Sequence, residues 1–368
     1  MLHDLFYKAK NHFKASKPFV LYRKPSESTV SGVFQKDDVL HYVEDFSKTG
    51  FIFAPFNTDD RIVLLQPDER HEAEYIASES IKDLASLSVV QDDAQKEFHI
   101  NLVQKAIEAI ENAGVKKVVL SRKLEVGTRK SAFTLFDALL ANYSNAFCYL
   151  WYHPKVGLWL GATPEILLRT ENKQLKTMSL AGTKKVEEGK APVWGTKELE
   201  EQKLVTDYIV AALESSVDNL TISETESVRA GSLWHLRTSV SGRLATYNLK
   251  EIIAALHPTP AVCGLPKAQA KAFILENENY AREYYTGFLG ELNFKEENFR
   301  SSNRRNRENQ AYKTVKNTTS LYVNLRCMQL KDKKALVYVG GGITHESVPE
   351  KEWEETVAKS NTMLKVVL

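Results

Sequence analysis

The chain is short of the features that commit a sequence to a specialised class. Only three cysteines occur in 368 residues, Cys148, Cys263 and Cys327, far apart and without CxxC spacing. Such a set supports neither a disulfide framework nor a zinc site. No run reaches the ~18 apolar residues of a membrane span. The opening MLHDLFYKAKNHFK has no signal-peptide core, and Asp4 with no early Arg argues against a transit peptide. Net charge is almost absent too, since 49 Lys+Arg against 47 Asp+Glu leave +2. That excludes a global attraction to nucleic acid or to an anionic membrane. A cytoplasmic protein, monomeric by default, is expected. What is present is apolar and aromatic: 43% hydrophobic and 10% aromatic residues exclude disorder as the dominant state. The length allows two domains or one large intertwined one.

Residues 1–95 read as a sheet-building portion of short strands, FVLYRK (19–24), FIFAPF (51–56) and IVLLQP (62–67), without chemistry. From Lys96 onward the texture changes. Leu102, Val103, Ala106, Ile107 and Ile110 predict a helix stopped at Gly114. Residues 115–126 alternate like a strand, and 147–153 with 157–163 form a hairpin. Helices are expected over 196–215 and 267–283, the latter with Pro266 near its first position. A second hairpin spans 322–330 and 335–343, and a last helix is capped by Ser347 with Glu350. Strands and helices mix without βαβ alternation, which predicts an α+β fold. The polar 295–319 stretch carries Arg300, Arg304, Arg305, Arg307, Lys313 and Lys316 and reads as a solvated loop rather than a phosphate-binding patch.

Several residues are candidates for chemistry. Lys117 shares a strand face with Val119; buried there it is a candidate base, at a wet strand edge merely a surface lysine. Glu165 follows an apolar hairpin, and is either an acid with a raised pKa or a solvent-facing turn residue. Glu201 lies on a helix face with Val205, Tyr208 and Ala212, one turn beyond Glu198. A divalent cation or the helix dipole would equally explain it. Glu352, Glu355 and Lys359 share one face of the last helix, either as an exposed ion pair or as a ligand set. Gly340-Gly341-Gly342 permits close backbone approach to an anion. Arg326, after Asn324, suits a carboxylate contact. His235 and His257 are possible ligands, but no HExxH or paired-His spacing supports a transition-metal site.

Taken together, KKVVLSR (116–122), GATPEILLR (161–169), SLAGT (179–183), KELEEQKLVTD (197–207), LWHLRTSVSG (233–242), LHPTPAVCGLPKAQA (256–270), REYYTGFLG (282–290), YVNLR (322–326) and GGGITHESVPEKEWEETVAKSNTML (340–364) resemble the chorismate-utilising enzymes, and within them the isochorismate synthases. The blocks occur in the family's order over roughly the last three quarters of the chain. The resemblance implies two facing antiparallel-rich sheets surrounded by helices, with 96–368 as the catalytic portion and 1–95 intertwined with it. It implies chorismate as substrate and Mg2+ as cofactor. Lys117 matches the base that activates water for attack at C2, and Glu165 the acid that protonates the departing C4 hydroxyl. Glu201 and Glu355 match metal-holding carboxylates. Thr183, Tyr285, Arg326, the Gly340–Gly342 backbone and Lys359 match pocket-lining positions, and His235 a histidine near C4. Lys117 would have to be neutral and Glu165 protonated, through desolvation acting in opposite directions. Ala181 stands where aminodeoxychorismate-forming relatives carry a nucleophilic lysine. Salicylate synthases, which add pyruvate elimination, share Lys117 and Glu165 and are the alternative.

Overall fold

Strands that read as unbroken apolar runs do so because both of their faces are covered. In the computed structural model, which describes residues 1–76, 93–187, 189–230, 233–299 and 313–368, the strands form two sheets. The first runs in the order β15 (Gly264–Leu265), β7 (Lys117–Gly127), β19 (Lys334–Ile343), β18 (Cys327–Lys331), β9 (Gly157–Thr163), β8 (Phe147–His153), β1 (Phe19–Arg23), β2 (Thr29–Phe34) and β6 (Glu69–Glu74). The second runs β12 (Val217–Ile222), β14 (Leu233–Leu244), β11 (Gln174–Lys185), β10 (Ile166–Glu171), β17 (Lys313–Val323), β16 (Phe288–Phe299), β4 (Gly50–Ala54), β5 (Val63–Leu65) and β3 (His41–Tyr42), with β13 (Glu226–Ala230) beside β14. The pairings are antiparallel throughout the described residues. Among the described residues seven helices accompany them: α1 (Leu2–Lys14), α2 (Asp93–Asn112), α3 (Ala132–Asn142), α4 (Thr196–Leu213), α5 (Leu249–Leu256), α6 (Lys267–Asn277) and α7 (Pro349–Val367). This is the expected α+β arrangement.

Strand alternation sorts the apolar residues between layers. Phe147, Tyr149 and Trp151 of β8 meet Phe51 and Phe53 of β4 in a shared aromatic core, with the Phe53 and Trp151 rings 5.0 Å apart. The intervening Cys148 and Leu150 face the opposite way, into a cluster with residues of α1, α3 and α7. On the second sheet Ile52 and Ala54 join Val205, Ile209 and Leu213 of α4 and Ile252 and Ile253 of α5. Strands from the first 76 residues enter both sheets. No helix among the described residues is long and apolar enough to cross a membrane.

The structure corrects several expectations. The N-terminal portion opens with a helix, α1, whose Leu5 and Ala9 pack on the first sheet. Helix α6 ends at Asn277 rather than 283, because the backbone turns extended at Glu278, whose carboxylate is taken by Arg282 and Ser121. Ser347 does not cap α7; its hydroxyl accepts from the Thr344 amide, and Val348 precedes Pro349 at the first helical position. Of the arginine-rich stretch, 300–312 lies outside the described residues, but Lys313 opens β17 and Lys316 pairs with Glu171. Backbone pairing of β16 with β17, which polar side chains do not advertise, carries that hairpin outward.

The expected strand over 322–330 is two strands in different sheets, and this break makes the site. β9 leaves the first sheet at Thr163 and, after Pro164 and Glu165, becomes β10 of the second. β17 makes the reverse passage through Asn324, Leu325 and Arg326 into β18. The two crossings hold each other: the Val323 amide donates to the Glu165 carbonyl at 3.0 Å and the Ala162 amide to the Arg326 carbonyl at 3.0 Å. Asn324 locks the corner, accepting from the Tyr149 hydroxyl at 2.6 Å and donating to the Tyr284 carbonyl at 2.8 Å.

Facing the start of β7, Gly264 of β15 has φ +132, and a Cβ there would lie 2.1 Å from the Lys117 carbonyl oxygen. Gly264→Ala is therefore expected to cost roughly 2–4 kcal/mol through strain and overpacking. Urea denaturation would measure it, and an unchanged midpoint would contradict the close approach.

Candidate functional site

The two crossings, the bulge in β11, the N-terminal turns of α4 and the middle of α7 surround one cavity of about 140 Å³. Glu165, Thr183, Glu201, His235, Tyr285, Arg326, Gly340, Gly342, Glu355 and Lys359 all line it. Thus every residue that the resemblance assigned to the site, Lys117 excepted, lines this cavity, brought together from eight separate segments. None of residues 1–76 contributes.

Lys117 lies just behind the wall. It is fully buried, and its Nζ donates to Glu201 Oε1 at 2.7 Å. Its stem crosses the glycine strip, where a Cβ on Gly342 would lie 3.0 Å from Lys117 Cε and 2.8 Å from Glu201 Oε1. Only glycine leaves room for the pair. Burial disfavours the Glu201 carboxylate, but Lys117, Lys359 and Lys197 outweigh it and hold its pKa below the usual range. Glu201 itself stands at the edge of the α4 stripe. The buried positions are Gln202, Val205, Ile209 and Leu213, with Tyr208 only partly covered, so the expected face was off by one residue.

Glu165 sits in the crossing after Pro164, which has no amide to extend a ladder. It is 3% exposed, and its side chain is not a turn residue in water. Desolvation pushes its pKa up to about 8, against the opposing pull of the Lys117 ammonium. The carboxyl is therefore mostly protonated at neutral pH.

The bulge between Ala181 and Lys184 turns the Gly182 carbonyl toward His235. Arg326 Nη2 donates to His235 Nε2 at 2.7 Å, so that nitrogen is the acceptor and Nδ1 carries the proton, donated to Gly182 at 2.9 Å. Burial, with Arg326 and Lys359 beside it, drives the His235 pKa to about 3. A neutral imidazole of fixed tautomer orients the guanidinium; it is not a free acid. Arg326 itself has φ +46, at the sheet crossing. Tyr285 is 3% exposed and stacks on Tyr338 at 5.3 Å. His257 is elsewhere, bonded to the Pro55 carbonyl away from this cavity.

Three carboxylates converge on the glycine strip, and each carries a lysine. Besides Glu201 with Lys117, Glu355 pairs with Lys359 at 2.6 Å and Glu352 with Lys197 at 2.8 Å. A Cβ on Gly341 would lie 3.6 Å from Glu352 Oε2 and 3.9 Å from Glu355 Oε1. Sequence reasoning missed Lys197. At i−4 from Glu201 it reads as a surface helix pair, and only the approach of α7 to α4 reveals its partner. The donors here are all oxygen, the chemistry of a hard divalent cation. Among the described residues no three His, Cys, Asp or Glu side chains form a ready-made cage. A cation would need oxygens from a bound ligand and water as well, the usual habit of Mg2+. The residues present fit such an ion.

A family model described as chorismate binding enzyme matches residues 56–304, and a second of that description matches 311–365. The isochorismate synthase EntC of Escherichia coli is 29% identical over 298 residues, covering 76% of this chain and 70% of that protein. Isochorismate synthase MenF of Escherichia coli is 28% identical, covering 79% and 66%. Anthranilate synthase component 1 of Aquifex aeolicus is 27% identical, covering 74% and 53%. In fold, the chain is similar to a crystal structure described as a putative 2,3-dihydroxybenzoate-specific isochorismate synthase, DhbC from Bacillus anthracis, with a TM-score of 0.76 over 95% of this chain and 96% of that one, at 23% identity. A match over more than half of its length, with the pocket built from the matched segments, places this chain in the chorismate-binding enzyme family.

Proposed function

We propose that the chain converts chorismate to isochorismate, with Mg2+ as cofactor. The observation that carries this reading is the joint presence, at one pocket, of a buried lysine and a buried carboxyl kept protonated. The reaction adds water at C2 of the ring while the C4 hydroxyl departs, and so needs a base and an acid together. Lys117, which donates to Glu201 as an ammonium in the ligand-free arrangement, must first release that proton; as the neutral amine it takes one from the attacking water, and Glu165 delivers one to the departing C4 hydroxyl. Arg326, aimed by His235, and Lys359, bonded to the Gly340 carbonyl at 3.0 Å, receive the two carboxylates of the substrate. Thr183 and Tyr285 shape the walls. Glu201 and Glu355 would hold Mg2+, which when bound orients the substrate carboxylate and draws off charge. Ala181, small and buried in the same wall, offers no amine for a covalent route.

Incubation of the purified protein with chorismate and Mg2+, followed by chromatography, tests this. Isochorismate approaching equilibrium with chorismate, lost on EDTA treatment, is expected. Salicylate with pyruvate would replace the assignment by a synthase that also eliminates, and no turnover would overturn it. The metal assignment has its own check. Glu201→Gln and Glu355→Gln should each weaken Mg2+ binding, titrated calorimetrically with chorismate present, by roughly tenfold or more. An unchanged titration would remove those residues as ligands.

A further inference from the structure

Arg122 follows Ser121 in β7 and points to the other side of the strand, away from the pocket described above. It is 8% exposed, yet among the described residues no carboxylate pairs with it. Its Nε donates to Thr356 Oγ1 at 2.7 Å, and its guanidinium lies 4.2 Å from the centre of the Trp353 ring. Among the described residues the two terminal nitrogens have no hydrogen-bond partner. Beside it, His99 of α2 is 2% exposed, and both of its ring nitrogens are unpartnered. Both side chains line a cleft of about 190 Å³, with Ser121, Lys123 and Tyr280. Glu125 also lines it, but is engaged by Lys334 at 3.0 Å and Lys123 at 3.8 Å.

Buried cations are ordinarily paired, and buried ring nitrogens hydrogen-bonded. Here, among the described residues, the guanidinium has no carboxylate and the imidazole no hydrogen bond, and the two side chains share an opening large enough for a small molecule. We propose that this cleft, between β7, α2 and the segment that follows α6, binds a small oxyanion, a carboxylate or a phosphate, on Arg122 and His99. The guanidinium offers a two-pronged donor edge to two oxygens. Burial lowers the His99 pKa to about 4, so at neutral pH the ring adds one N–H donor and one acceptor rather than a second charge. Tyr280 supplies a flat wall, and Lys123, shared with Glu125 at 3.8 Å, adds positive charge at the rim. The site is separate from the catalytic pocket but shares its supports. Trp353 and Thr356 alternate along α7 with Glu352 and Glu355, and Ser121 separates Arg122 from Leu120 and Val119 on β7.

The experiment is calorimetric titration of the full chain with inorganic phosphate and, separately, with benzoate. One saturable site is expected for at least one probe, and which probe binds distinguishes phosphate from carboxylate ligands. Arg122→Gln should weaken it roughly ten- to hundredfold, as expected for loss of charge-assisted hydrogen bonds. Arg326→Gln, which alters the other pocket, should leave it unchanged. Binding that disappears with Arg326→Gln but survives Arg122→Gln, or no saturable binding of either probe, would overturn the proposal. Should Arg122→Gln not fold, the His99 ring resonances in the unaltered protein, assigned by comparison with His99→Gln, must shift on saturation. Unmoved resonances would count against the site.

Discussion

Lys117→Ala is expected to slow turnover of chorismate by roughly 100- to 10,000-fold, the usual contribution of a positioned general base, while Mg2+ binding measured without substrate becomes tighter. Both effects come from one contact. In the ligand-free arrangement the Lys117 ammonium is bonded to Glu201 Oε1 at 2.7 Å and is closed off from the pocket by it. A divalent cation at Glu201 must compete with that ammonium for the same oxygen. Removing the lysine removes the competitor and also the base. The fold should tolerate the change, because Glu201 is 16% exposed and keeps Lys197 and Lys359 nearby. A partner lost from a fully buried pair would cost more, roughly 3–5 kcal/mol. Single-turnover rates and calorimetric Mg2+ titration of the same preparation check the two halves. Normal isochorismate formation would remove Lys117 as the base, and weaker Mg2+ binding would contradict the competition.

Glu165→Gln should lose activity on a similar scale while gaining stability at neutral and alkaline pH. The carboxyl is held up to about 8 by desolvation, partly offset by Lys117, from an ordinary value of 4.5. As an acid it works only when protonated, so the wild-type rate should fall as pH rises through about 8, and glutamine cannot donate that proton at any pH. The stability effect follows from proton linkage. Below 4.5 the folded and unfolded states both carry the proton, and burial costs nothing extra. Between 4.5 and about 8 the unfolded chain ionises while the folded one does not, so stability declines across that window and levels off above it. The full effect has an upper bound of about 5 kcal/mol at 1.36 kcal/mol per pKa unit. Thermal melts of the two proteins should therefore nearly coincide at pH 4.5 and separate progressively up to pH 8. Parallel curves would mean that Glu165 is not desolvated as the structure describes.

Much of the site was legible in the chain itself, for a chemical reason. A lysine in an apolar strand, a glutamate between apolar strands and three consecutive glycines are each costly without a purpose, and their spacing survives in the linear sequence. The aromatic runs of β1, β4 and β8 likewise declare strands covered on both faces. Other features had no linear signal. YVNLRCMQL reads as one strand, and only the meeting of two sheets splits it at Asn324–Arg326 and gives Arg326 its position. Lys197 reads as an exposed helix pair until α7 brings Glu352 to it. The α6 C-terminus depends on Glu278 being claimed by Arg282 and Ser121 from other segments. Nor does the sequence reveal that Lys117 is held by Glu201, 84 residues away. Residue type and local periodicity determined which groups are present and which segments are strand or helix. Which charges meet, which are stripped of water and where the chain changes sheets were decided by tertiary packing, because those energies belong to pairs of distant segments and not to either one alone.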